Sequence, residues 1–189
     1  MNYPKEEQFY NDINSKYNIS RGGNMEDLRI LLENVESIIS NGNYVEIGVA
    51  DGSSIITVAS FRPDINCYGI EIKPEIKGEK AIKDLGLNNI HFYLGKGAEE
   101  ICKEWNKEID LLFIDGEHTF PNIFWDFVGW YPYVKSGSKI LFHDFEKWQE
   151  GKYQIGLAAR VFQGHQKYNF YSAALNDNIS SSMISIIKP

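Results

Sequence analysis

Cysteine is scarce in this chain of 189 residues: only Cys67 and Cys102 occur. Neither belongs to a Cys-x-x-Cys pair or a histidine-rich cluster. The spacing therefore offers no disulfide framework and no thiolate zinc centre. Both lie in apolar-patterned segments and are expected to be reduced, buried thiols. Positive charge is also short, with 19 Lys and Arg against 26 Asp and Glu, a net charge of −7. No net positive field draws phosphates in, which argues against a general nucleic-acid binder. No apolar run approaches the roughly 18 residues that span a bilayer. The opening "MNYPKEEQFYNDINSKYN" lacks a basic-then-apolar leader pattern. A cytoplasmic protein with no membrane partner is expected. Two phosphate-binding signatures, Gly-x-Gly-x-x-Gly and the P-loop's Gly-Lys-Ser/Thr, are missing as well. So are internal repeats, low-complexity tracts and linkers. One domain over residues 1–189 follows, with a polar, largely irregular arm over 1–23 and a core over 24–189.

What is present is an alternation. "NMEDLRILLENVESIISN" reads as an amphipathic helix capped by Asn24, with Leu28, Leu31, Leu32, Val35, Ile38 and Ile39 at helical spacing. Then strands ("YVEIGV", "INCYGIEI", "NIHFYLG", "IDLLFIDG", "SKILFHDF") alternate with helices ("GSSIITVASF", "KPEIKGEKAIKDLG", "GAEEICKEW", "FPNIFWDFVGWYPYV", "YQIGLAARVFQG"). The last strand of this series follows the turn residues "KSGS". The aromatics Phe120, Phe124, Trp125, Phe127, Trp130 and Tyr131 are expected mostly in the core. "YNFYSAAL" and "SSMISIIK" close the chain as a hairpin around "NDNIS". Strands that read as continuous apolar runs, each followed by a helix, predict an α/β doubly wound, mostly parallel sheet.

Ligands of such sheets bind outside the carboxyl ends of the strands. Polar groups gather there: Glu46 with "GVADGSS", Glu71, "GKG", then Asp115, Glu117 and His118, and finally His143 and Asp144. Gly48 and Gly52 let backbone approach a ligand. Glu46, two residues before Gly48, would repel a phosphate and attract an ammonium. Glu71 suits a ribose diol, because a carboxylate accepts from two hydroxyls. The ligand implied is an adenosine with a cationic amino-acid end and no phosphates.

"VEIGVADGSS", "GIEI", "IDGEHTF" and "GSKILFHDF", in this order and spacing, resemble the class I S-adenosylmethionine-dependent methyltransferases. They look most like the bacterial small-molecule O-methyltransferases of the macrocin and cephalosporin type, which pair an "IDG.H" strand end with an "HD" strand end. The resemblance covers roughly residues 40 to 150. It implies a Rossmann-like, seven-stranded sheet with an antiparallel C-terminal hairpin strand, forming a single methyltransferase domain. Two positions depart from the family pattern: Ala50 stands where glycine is commonest, and Lys96 where many members carry an acid.

The resemblance also implies roles. Glu46 and Gly48 would border the methionine part of S-adenosylmethionine, Glu71 would bind the ribose, and Ile72 would flank the adenine; Gly52, Ser53 and Asp115 would also bind the cofactor. Gly95, Lys96 and Gly97 would approach the adenine edge, where Ala98 offers its N–H. Asp115, His143 and Asp144 map onto the positions that hold a divalent ion in metal-dependent members. Oxygen donors suit Mg²⁺, and a histidine shifts the preference toward Mn²⁺, Fe²⁺ or Zn²⁺. His118 is the candidate general base, acting beside Asp115, since imidazoles ordinarily titrate near neutrality. Blander readings stand beside these. Asp115 can cap the next helix, His118 can merely begin it, and His143 can orient Asp144 without touching an ion. Glu117 reads as exposed, and Trp148 as a wall of a substrate pocket. The expected activity is methyl transfer to a hydroxyl of a small molecule, a sugar or secondary metabolite, by a homodimer. The rivals are a non-catalytic S-adenosyl-ligand or protein-binding module and a nicotinamide-dependent dehydrogenase.

Overall fold

The computed structural model describes residues 2–144, 168–170 and 183–189. The expected helix "YQIGLAARVFQG", the turn "NDNIS" and Trp148 lie outside the described residues. Strands β1 (Asn43–Ile47), β2 (Asn66–Glu71), β3 (Ile90–Leu94), β4 (Ile109–Ile114), β5 (Val134–Phe142), β6 (Tyr168–Phe170) and β7 (Ile184–Ile187) form one sheet. Its order is β3-β2-β1-β4-β5-β7-β6. The first five strands pair in parallel, while β7 runs antiparallel to both β5 and β6. Order therefore reverses between β1 and β4, the crevice where doubly wound sheets bind ligands.

Six α-helices are described: α1 (Pro4–Tyr17), α2 (Met25–Val35), α3 (Ser53–Phe61), α4 (Glu79–Leu85), α5 (Ala98–Glu104) and α6 (Phe120–Trp130). Two apolar layers hold them. Leu31, Leu32, Val35, Ile55, Ile56 and Leu111 belong to the layer beneath α1–α4. Val45, Leu112, Ile140, Phe127 and Trp130 belong to the layer beneath α5 and α6. Trp130 is fully buried and donates its indole N–H to the Ala98 carbonyl at 3.2 Å, locking α6 onto the start of α5. Replacing such a side chain by alanine costs about 3–5 kcal/mol. Among the described residues, no helix is long and apolar enough to cross a membrane.

Three local expectations are corrected. The arm is mostly a 14-residue helix, α1, begun at Pro4 and closed by Asn18 in the left-handed region at φ 54°. Proline suits a first helical turn, where its missing N–H costs nothing. The "KSGS" turn is absorbed into β5, whose register against β4 jumps between Ile109 and Leu111. Gly137, at φ 81°, donates its N–H to the Lys188 carbonyl, so the irregular stretch is held by the chain's end. Of the aromatics, Phe127 and Trp130 are buried, but Trp125 is 59% exposed on the outer face of α6.

Candidate active site

The site grows from three strand ends. After β1 the chain makes a tight loop with Gly48, Ala50 and Gly52 all at positive φ (87°, 47° and 93°). Such angles suit glycine and strain other residues, Ala50 included. A Cβ at Gly48 would fall on the Asp115 carbonyl and within 2.6 Å of the Gly116 Cα. The loops after β1 and β4 thus touch backbone to backbone. Glu71, at the tip of β2, ties this loop down. Its Oε2 accepts the Ala50 N–H at 2.8 Å, and its Oε1 accepts the Lys73 N–H at 3.1 Å. Each oxygen keeps a lone pair for a further donor.

A cavity of about 340 Å³ opens between these strand ends, within the range of small-molecule sites. Gly48, Glu71, Ile72, Gly97, Ala98 and Asp115, all expected to bind the cofactor, line it together. Ile72 is 71% exposed at its mouth, an apolar surface for a flat ring. Among the described residues the wall also carries Glu99, Glu117 and Asp126 and no lysine or arginine, so this part of it favours a cation over a phosphate. Lys96 is exposed and does not line the cavity.

Other expected residues lie elsewhere. Glu46 does not line the cavity; it is 1% exposed and points to the opposite face of the sheet. There its carboxyl accepts the Tyr44 hydroxyl at 2.7 Å and the Ser54 hydroxyl. Burial pushes its pKa up to about 7, against the pull of those hydroxyls. Tyr44 and Glu46 share that face because side chains alternate along a strand. Gly52 and Ser53 are also off the cavity wall. Gly52 precedes α3, and the buried Ser53 hydroxyl donates to Asn14 Oδ1 of α1 at 2.7 Å.

Sequence reasoning missed Asp126. It is 8% exposed and lines the cavity from α6. Burial pushes its pKa up to about 7, helped by Glu99 and Glu117. The available signal was an acid inside an otherwise apolar helix, "FPNIFWDFVGW".

Asp115 connects the cavity to a second group of side chains. Asp115, His118 and Asp144 each place one ligand-capable atom within 4.8 Å of the others. His118 Nε2 stands 3.4 Å from Asp144 Oδ2. Asp144 sits in the left-handed region at φ 58°, the kind of strain that collects at functional sites. Two carboxylates and one imidazole fit a divalent ion, the imidazole favouring Mn²⁺, Fe²⁺ or Zn²⁺ over Mg²⁺. Expected as a ligand, His143 is instead clamped between acids, so His118 takes its place in the cluster. Nδ1 of His143 is 2.9 Å from Asp115 Oδ1, and Nε2 is 3.3 Å from Asp27 Oδ2. Carboxylates only accept, so a ring with both nitrogens protonated donates to Asp115 on one side and sets an N–H near Asp27 on the other, the latter a charge contact without hydrogen-bond alignment. Burial works against that charge, but Asp115, Asp27 and Asp144 outweigh it and push the His143 pKa up to about 11.

A family profile described as "Methyltransferase domain" matches residues 45–145, more than half of the chain. Tapetum-specific methyltransferase 1 of Arabidopsis thaliana is 28% identical over 131 residues, covering 62% of this chain and 55% of that protein. The chain spans 59% and 55% of the lengths of two curated relatives that it matches. Among solved structures, the O-methyltransferase TomG from Streptomyces achromogenes, in complex with SAM, superposes with a TM-score of 0.72 at 11% identity. That match covers 100% of this chain and 92% of TomG. The MycE methyltransferase, in complex with Mg and SAH, superposes with a TM-score of 0.64 at 17% identity, over 95% of this chain and 54% of MycE. The cavity at the β1/β4 switch point, the acidic residues on its wall and the matched segment agree. The chain belongs to the methyltransferase-domain family, with the fold of the class I S-adenosylmethionine-dependent enzymes.

Proposed function

We propose that this chain transfers a methyl group from S-adenosylmethionine to a hydroxyl of a small molecule. The observation that carries the reading is the double membership of Asp115. It lines the donor cavity and also belongs to the cluster with His118 and Asp144. A donor seated on Glu71 and Ile72 would present its methyl toward that cluster. In the transfer, the acceptor oxygen attacks the methyl carbon, the carbon–sulfur bond breaks, and S-adenosylhomocysteine leaves. The hydroxyl proton goes to His118. The imidazolium so formed is stabilised by the Asp144 carboxylate 3.4 Å away. Asp115, His118 and Asp144 are also the residues that would hold a divalent ion; the one lone pair of the neutral His118 ring would then go to the ion, which would replace His118 as the group that activates the hydroxyl. Bound there, it would supply Lewis acidity, lowering the pKa of a substrate hydroxyl. The TomG and MycE complexes, one with SAM and the other with Mg and SAH, support the donor and the ion by likeness of fold.

The test incubates the protein with methyl-labelled S-adenosylmethionine and a panel of catechols, sugars and phenols, with and without EDTA. Label transfer to a hydroxyl is expected. Loss of transfer with EDTA, restored by Mn²⁺ or Mg²⁺, would establish the ion, and survival in EDTA would leave His118 as the base alone. Cofactor binding with no transfer to any acceptor would contradict the reading and favour a non-catalytic binding module.

A further inference from the structure

Asp27 lies outside the strand ends and outside the matched segment 45–145, yet it reaches the site. It is the third residue of α2, and its Oδ2 accepts the Asn24 N–H at 3.1 Å. The same oxygen stands 3.3 Å from Nε2 of His143, a charge contact and not an aligned hydrogen bond. The opposite nitrogen of that ring, Nδ1, is 2.9 Å from Asp115 Oδ1. The Asp27 and His143 side chains are only 5% and 6% exposed, so little water competes for the contact. The backbone passes directly over it. A Cβ at Gly23 would lie 3.2 Å from Asp27 Oδ2 and 3.3 Å from His143 Nε2. Tyr10 of α1 holds that crossing by donating its hydroxyl to the Gly23 carbonyl at 3.4 Å.

We propose that Asp27 is a positioning residue for methyl transfer: through His143 it fixes the carboxylate of Asp115, a residue that lines the donor cavity and shares a cluster with His118 and Asp144. The proposal rests on the reading of the preceding subsection. Held from one side, an imidazole can pivot about its side-chain torsions. Held from both sides by acceptors, it has one orientation, because any tilt lengthens one of the two contacts. Asp115 inherits that orientation across 2.9 Å. A carboxylate that borders both donor and acceptor must be placed closely, since displacements near 1 Å can cost about 100-fold in rate. The segment before β1 is then part of the active-site frame as well as a cover for the sheet.

The test compares Asp27→Asn, Gly23→Ala and Asn24→Gly in the full chain. Asp27→Asn keeps an acceptor for the Asn24 N–H but removes the charge that faces His143. Gly23→Ala pushes a methyl against the contact and leaves both partners intact. Asn24→Gly weakens the helix cap and leaves the Asp27 carboxylate in place. The first two are expected to lower kcat by about 10-fold or more, with affinity for S-adenosylhomocysteine within about twofold. The third is expected to lower the melting temperature while holding kcat within about twofold. A second readout needs no acceptor: the ¹⁵N–¹H spectrum of the histidine rings should show both His143 N–H groups in the native chain, with the Nε2 signal shifted or lost in Asp27→Asn. Unchanged kcat in Asp27→Asn, or an equal fall in Asn24→Gly, would overturn the proposal and leave Asp27 a helix cap. Should the native chain methylate nothing, the function reading fails, and an unaltered His143 spectrum in Asp27→Asn would separately overturn the clamp.

Discussion

Glu71 and Ala50 join two strand ends: the Ala50 N–H donates to Glu71 Oε2 at 2.8 Å, although Ala50 sits at φ 47°. One carboxylate thus shapes the loop after β1 and lines the cavity floor. Removing it takes away a charged acceptor from the ligand and frees the loop. Each hydrogen bond to a charged group contributes about 1.5–3 kcal/mol. Glu71→Ala should weaken S-adenosylhomocysteine binding by about 10- to 100-fold, measured by calorimetry. Native-like affinity would remove Glu71 from the ribose site.

Gly48→Ala should fail for a different reason. Its new methyl would meet the Asp115 carbonyl and the Gly116 Cα, at a positive φ that alanine resists. Neither obstacle is a flexible side chain, so the two loops must part. Strain and overpacking together should cost about 2–5 kcal/mol in urea unfolding. A change under about 0.5 kcal/mol, ordinary for a surface substitution, would show that the two loops do not touch.

Glu46 gives stability a pH dependence. Its folded pKa, about 7, lies above the ordinary glutamate value of 4.5. The folded state therefore binds the proton more tightly. This contribution is fully present below pH 4.5 and is lost as pH rises to about 7. The loss is about 3 kcal/mol at most. Asp126, also raised to about 7, adds a slope of the same sign. Denaturant unfolding at several pH values should show a shallower fall in Glu46→Gln than in the native chain. Equal slopes would mean that Glu46 is not buried as described.

Asp144→Ala should separate binding from turnover. Asp144 belongs to the cluster with Asp115 and His118 but does not line the donor cavity. Affinity for S-adenosylhomocysteine should stay within about threefold, while methyl transfer falls by at least about 100-fold, as expected when a general acid–base arrangement is broken. Full activity in this variant would take Asp144, and any ion it holds, out of the reaction.

The sequence made the sheet and cavity floor legible because buried parallel strands are apolar runs and their carboxyl ends turn polar abruptly. Glu71, Gly97 and Asp115 were readable on that rule, while Ile72 and Ala98 came from the resemblance to the methyltransferases. Glu46 was misjudged by reading position along the strand without its side. Its separation of two from Tyr44 already placed both on one face, where they bond. The exchange between His118 and His143 was not legible, because the partner that clamps His143 is Asp27, 116 positions earlier in the chain and brought near only by packing. α1 was under-read because its polar surface gives weak periodicity, while its stability comes from contacts such as the buried Tyr10 and Ile13.

The most direct measurement is calorimetric titration of S-adenosylhomocysteine into the full chain. The account predicts one site per chain with micromolar affinity, weakened in Glu71→Ala and retained in Asp144→Ala. No binding at millimolar concentration would contradict it.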